Sequence, residues 1–138
     1  MERRFLVLVG CIAALLLAAL PAAANNVPTT GARLVLGPAG PTAFAANSPF
    51  YIEHGFACEL GDAPCMWDQI GRGRAYLYVD GVLQRSKVDV DQVGGVISKL
   101  WLVNFPSGLP AGPHVFRREW FQGGTQTYLT ATKTVYFS

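Results

Sequence analysis

The chain predicts an all-β, antiparallel sandwich of about seven to eight strands, and three observations carry that expectation. Short runs rich in Val, Tyr, Phe, Thr and Leu recur at intervals of roughly ten residues. Gly, Pro and an Asp-Gly pair punctuate them. No apolar stretch beyond Asn25 holds a helical period over about ten residues, so little or no helix is expected.

The strands expected, in order, are Arg33 to Gly37, Ala43 to Ala45, Phe50 to Phe56, Gly73 to Val79, Val82 to Val88, Val96 to Phe105, Val115 to Phe121 and Thr127 to Phe137. Asp80-Gly81 separates two of them and suits a two-residue hairpin, whose central residues both need positive φ. Gly123-Gly124 is read as a similar turn before the last strand, and the proline-rich segment from Pro106 to Pro113 as a rigid crossing loop. Period two puts Ala75, Leu77 and Val79 on the core face and Arg74, Tyr76 and Tyr78 on the other. In the last strand Lys133 interrupts the apolar side, as a charge does on an exposed edge. Leu100 to Val103 is apolar on both faces and belongs centrally, with one face covered by loops or by the segment near Cys65. In the run from His114, Arg118 falls on the same face as Phe116 and Trp120. A place near the sheet rim is the favoured relief for it, over a carboxylate partner or a bulge.

The first 24 residues read differently. Arg3 and Arg4 precede an apolar run from Phe5 to Leu20, then Pro21 and Ala22-Ala23-Ala24, the pattern of a signal peptide cleaved before Asn25. At 16 residues the run is somewhat short for a membrane anchor. A lipobox at Cys11 would leave Ile12 to Leu20 exposed on the mature protein, and the Leu-rich core favours the general secretory route over the twin-arginine one. Residues 25–32 are then a flexible lead-in and residues 33–138 the domain. The expected location is the cell exterior or envelope, periplasmic if the source has an outer membrane.

Export bears on the cysteines. Removing the leader leaves Cys58 and Cys65, which can only pair with each other, stapling Glu59 to Pro64 into an excursion. Their spacing matches no common zinc pattern, and a reactive Cys-x-x-Cys is absent. The whole chain has formal net charge +2, so no polyanionic partner is implied and nucleic acid is not expected. No phosphate-binding glycine loop stands between a strand and a helix. No metal and no cofactor is expected, because the Asp89-x-Asp91 fragment offers fewer oxygens than a calcium loop needs.

Pro49-Phe50-Tyr51-Ile52, the hairpin Val79-Asp80-Gly81, the lead-in Leu109-Pro110-Ala111-Gly112-Pro113-His114-Val115-Phe116 and the Thr-rich last strand resemble bacterial immunoglobulin-like modules. The resemblance spans about Arg33 to Ser138. It implies an immunoglobulin-like β-sandwich used for extracellular binding, adhesion or spacing, and it transfers no catalytic residue. The expected function is therefore a non-enzymatic exported module whose partner is an extracellular protein or a carbohydrate. Arg74, Tyr76 and Tyr78, mixing charge with flat rings, and His54 beside the disulfide are the candidate binding residues. Two alternatives stay open. One is a small secreted hydrolase using His54 with Glu53, Glu59, Asp62 or Asp68; the other is an assembly subunit that pairs through a strand edge. His114, opening a strand after Gly112-Pro113, is read as a cap that bonds a loop carbonyl.

Intact-mass measurement on exported protein is expected to give a chain that starts at Asn25. A mass that retains earlier residues, or a lipid adduct on Cys11, would overturn that assignment.

Overall fold

In a computed structural model, residues 27–138 are described, and the leader, its cleavage site and Cys11 lie outside them. Among the described residues nine strands form two sheets. These are β1 (Ala32–Arg33), β2 (Ala43–Phe44), β3 (Phe50–Glu59), β4 (Arg74–Val79), β5 (Val82–Leu83), β6 (Lys87–Val93), β7 (Val96–Phe105), β8 (Gly112–Gln122) and β9 (Thr127–Phe137). One sheet runs β1-β3-β7-β6 and the other β2-β9-β8-β4-β5. That is the immunoglobulin-like order, in which the first, second, fifth and fourth principal strands share one sheet. Pairing is antiparallel except at two of the three two-residue strands, since β1 runs parallel to β3 and β2 parallel to β9.

The expected first strand is cut short after Arg33, where the chain leaves this sheet to cross to the other. After β1, Leu34 and Leu36 turn into the core and Gly40 N–H closes a turn on Gly37 O before β2 joins the other sheet. The stretch ahead of β1 is fastened rather than loose: Asn104 donates to Pro28 O and accepts from Thr30 N–H. The run from Val82 to Val88 also divides, at the polar residues Gln84 to Ser86, where the chain crosses from the edge of one sheet to the edge of the other. The crossing loop from Pro106 ends sooner than expected, because Gly112 and Pro113 already pair with Phe137 and Tyr136.

Asp80 and Gly81 take φ of 50° and 81° between the paired residues Val79 and Val82, a two-residue turn whose twist matches its strands. The Gly123-Gly124 turn works differently. Gln126 supplies the positive φ there, and the glycines are needed for close approach, since a Cβ on Gly123 would lie 2.3 Å from Arg72 O.

The little helix present among the described residues is one short segment. Ala63–Cys65 forms an α-turn and Met66–Gly71 a wider π-turn. Asp62 starts it, its carboxylate accepting from Cys65 N–H, and Pro64 fits the first turn because its missing N–H is not needed there. Cys58 and Cys65 are disulfide-bonded, fixing this segment to the end of β3.

The inner faces make two apolar clusters. The larger joins Phe50, Ile52, Val103 and Phe105 of one sheet to Leu77, Val79, Phe116, Val135 and Phe137 of the other, with Leu34 and Leu36 between. The smaller comprises Phe56, Ala75 and Trp101, with Ile70 of the helical segment and Trp120 packed against it. Between them lies Arg118. Neither a bulge nor a carboxylate relieves it, because the β8 ladder is continuous and its guanidinium donates instead to Leu36 O at 3.0 Å and sits over the Trp120 ring. Lys133 does stand on a strand that is an edge for most of its length, but its charge is not displayed there: the ammonium turns under the sheet to Gly37 O and Gly40 O.

Trp120→Ala is expected to cost about 3 kcal/mol, and Arg118→Met to change stability by less than about 1 kcal/mol, because losing a desolvated charge offsets losing its bond. Urea unfolding of both variants checks this. The reverse ranking would mean that the guanidinium, rather than the indole, holds the sheets together.

Candidate functional site

Beyond the start of β4, the inner face of β3 and β7 continues through Cys58 and Ile97, and the helical segment covers it. The cover is incomplete. A groove of about 520 Å³ remains, lined by Leu60, Met66, Trp67, Ile70, Gln92 and Ile97 together with small residues. Trp67 is 64% exposed, a large apolar ring left in solvent, with the Arg72 guanidinium 5.5 Å from its centre. Gln92 is the one polar side chain in the lining, and no acid, base or nucleophile is among these residues. Such a surface can take up apolar groups, and it offers nothing for bond cleavage.

Arg74, Tyr76 and Tyr78 share the outer face of β4, as their spacing predicts. The β8 and β9 register sets beside them residues that the sequence did not single out for this face. Tyr78 is opposite Arg117, Tyr76 opposite Glu119, and Arg74 opposite Phe121, with Tyr128 beyond. Arg117 lies 4.2 Å over the Tyr78 ring and pairs with Glu119 at 3.3 Å. Tyr128 donates its hydroxyl to Glu119, and that hydrogen bond pushes the phenol up to about 12. The alternation in β8 did hold a signal for these partners. Arg117, Glu119 and Phe121 are the outward set that alternates with Phe116, Arg118 and Trp120.

His54 does not join this face. It follows Phe50 and Ile52 at period two onto the inner side of β3, is 5% exposed, and meets the Trp120 ring edge-on at 5.9 Å. Among the described residues neither ring nitrogen has a hydrogen-bond partner, nor has Trp120 Nε1. Burial first, and the nearby Arg118 charge second, push its pKa down from 6.5 to about 4, so the buried imidazole is neutral.

The acids named with His54 are dispersed. Glu53 points to the opposite face and pairs with Arg33 at 3.1 Å, Glu59 is exposed, and Asp62 caps the helical segment. Asp68 is buried rather than solvated. Its carboxylate accepts from the N–H and hydroxyl of Thr125, holding the turn before β9. Among the described residues no group of three or more His, Cys, Asp or Glu side chains is placed to hold a metal ion.

His114 makes the loop contact its position predicts, Nε2 donating to Pro110 O at 2.8 Å, and its Nδ1 lies 2.6 Å from Asp80 Oδ2. Asp80 Oδ1 accepts from Val115 N–H, so one hairpin carboxylate fastens the start of β8. Desolvation pulls the His114 pKa down, but the bonds to Asp80 and Pro110 and the Asp80 charge outweigh it and raise it. With an acceptor at each nitrogen, the doubly protonated ring fits this setting best.

No family model, curated protein or solved structure matches the chain.

The two histidines oppose each other in pH dependence. For His54 the unfolded chain binds the proton more tightly, so its contribution to stability is complete above pH 6.5 and is lost as pH falls towards 4, by up to about 3 kcal/mol. For His114, with its pKa raised, the contribution is present below pH 6.5 and lost as pH rises through the folded value. Unfolding measured across this range is expected to show the acid-side loss in the wild type and its disappearance in His54→Phe. Retention of that loss in the variant would assign it to another group.

Proposed function

We propose that the protein is an exported immunoglobulin-like binding module that works at the cell exterior without catalysis and takes an apolar group of a protein partner into the groove beside Trp67. The observation that carries this reading is the exposure of Trp67 over an apolar groove whose wall is pinned by a disulfide. A fixed aromatic ring beside a desolvated pocket is the usual centre of binding energy at a protein interface, since little entropy is lost in ordering it. A protein partner suits the groove better than a sugar, whose hydroxyls would meet Gln92 alone. Export rests on the leader pattern, and the Cys58–Cys65 disulfide suits an oxidising compartment. Among the described residues no helix is long and apolar enough to cross a membrane.

The hydrolase alternative would require His54 and two carboxylates in one concave site. His54 instead lies between the sheets while Glu53 faces outward and Asp62 and Asp68 hold loops. A carbohydrate reading is favoured by one observation, the outer face of β4, β8 and β9, where Tyr76, Tyr78 and Tyr128 flank Arg117 and Glu119.

Capture from native surface and medium proteins, run in parallel with wild-type, Trp67→Ala and Tyr76→Ala baits, tests the proposal. A partner reduced at least about tenfold by Trp67→Ala and retained by Tyr76→Ala is the expected result. A partner lost only with Tyr76→Ala, or a glycan bound through that face, would transfer the site to the outer sheet.

A further inference from the structure

Each sheet of an open sandwich ends in strands whose outer backbone groups need partners or protection. Most of the edges here are managed. Strands β1, β2 and β5 are two residues each, and β6 carries Lys87, Asp89 and Asp91. Strand β9 is different. It runs for 11 residues, and β2 covers its outer side only at Tyr136 and Phe137. The bonds from Tyr136 N–H to Thr42 O and from Ser138 N–H to Phe44 O show which residues aim outward. By period two, Thr134, Thr132, Thr130 and Tyr128 present their N–H and C=O groups on that same side, where no backbone bond is made to another described residue.

Three further features distinguish this edge. Residues 127–132 contain no charge and no proline and are rich in Thr, Tyr and Leu, which suit a pleated strand. Lys133, the charge that would discourage pairing, is withdrawn under the sheet by Gly37 O and Gly40 O. Leu129 belongs to the inner face by alternation, yet it is 48% exposed, the β1–β2 crossing being bonded to this sheet further along, at Arg118 and Lys133.

We propose that β9 pairs antiparallel with β9 of a second copy of this chain, about a two-fold axis at Thr130. A second copy is favoured over a foreign strand because the edge is complementary to itself. Thr130 would exchange both backbone bonds with its counterpart, and Tyr128 would do so with Thr132, about six bonds in all. Leu129 would meet Ala131 in the closer, unbonded pairs, and Tyr128 would lie against the β-branched Thr132. With no charge in residues 127–132, the copies bring no like charges together in the ladder. The two five-stranded sheets would then form one continuous sheet, closing the long free edge of both copies. This pairing goes beyond the groove reading and leaves Trp67 outside the contact.

Sedimentation of the full protein over a concentration series up to the millimolar range tests it, with Thr130→Lys, Thr130→Pro and Trp67→Ala alongside. Thr130 N–H is outside the β8 ladder, so both Thr130 variants keep their intrasheet bonds; Thr130→Lys carries the test if the proline variant does not fold. The wild type is expected to dimerise reversibly, each folded Thr130 variant to raise the dimer Kd at least about tenfold, and Trp67→Ala to leave it unchanged. Amide exchange at Thr130 and Thr132 should slow as the dimer forms. A wild type monomeric throughout, a dimer indifferent to Thr130→Lys, or a dimer lost with Trp67→Ala would overturn the proposal. A foreign strand captured by a monomeric wild type would also overturn it.

Discussion

Among the described residues, basic side chains on the inner faces of the two sheets have to find partners without a strand carboxylate there, and the connections of the fold follow from how they do so. Arg118, Lys133 and Lys99 each point inward by period two, whereas the acids of the strands, Glu53, Glu59, Asp89, Asp91 and Glu119, fall on outer faces or edges. Backbone carbonyls serve instead. Arg118 and Lys133 reach Leu36, Gly37 and Gly40 on the β1–β2 crossing, while Lys99 reaches Gly73 just before β4. A hydrogen bond from a charged donor is worth roughly twice a neutral one, and a buried cation left without it is costly. The crossing is therefore held at three carbonyls by the five-stranded sheet, and this keeps Leu34 and Leu36 in the core while the chain changes sheets.

The same layer explains why the core is in two parts. His54, Trp101, Arg118 and Trp120 meet at one level of the sandwich, and none can pack as uniformly as the Phe and Val residues on the Phe50 side. Aromatic faces replace missing polar partners here, the Trp120 ring lying under one cation and the Trp101 ring under Lys99. Among the described residues, the His54 nitrogens and Trp120 Nε1 find no protein partner in this layer.

Legibility in the sequence followed the range of the interactions. Strands β7 and β9 have the ends that alternation assigned, and the Asp80-Gly81 hairpin follows from φ alone, because all three depend on neighbours in sequence. The inward turn of His54 was available from Phe50, Ile52 and Phe56 at the same spacing, but proximity to Cys58 and to acids drew it into the candidate site. The helical segment was not legible: its π-turn is six residues, too short for a period, and only Asp62 followed by Pro64 marked its start. Nor could the sequence place Arg117, Glu119 and Tyr128 beside Tyr76 and Tyr78, since register between strands far apart in the chain is set by the whole core.

The offset of the strand ends accounts for the groove. At this end β4 begins only at Arg74, opposite Phe121 near the end of β8, so β3 and β7 extend past the partner sheet and would leave the apolar inner faces of Cys58 and Ile97 in water. Gly73 marks where β4 gives way, with space for no side chain, because a Cβ there would lie 2.6 Å from the Phe56 ring. Another strand could not cover the ledge without extending the other sheet, so the chain covers it with a helical turn, and the disulfide at Cys58 fastens that turn to the ledge itself. Ile70 reaches in to Phe56, Ala75 and Trp101, while Trp67, three residues earlier, stays in solvent. A narrow helical turn laid on a wide ledge leaves a gap along its side, and that gap, walled by the residues that close the core, is the groove.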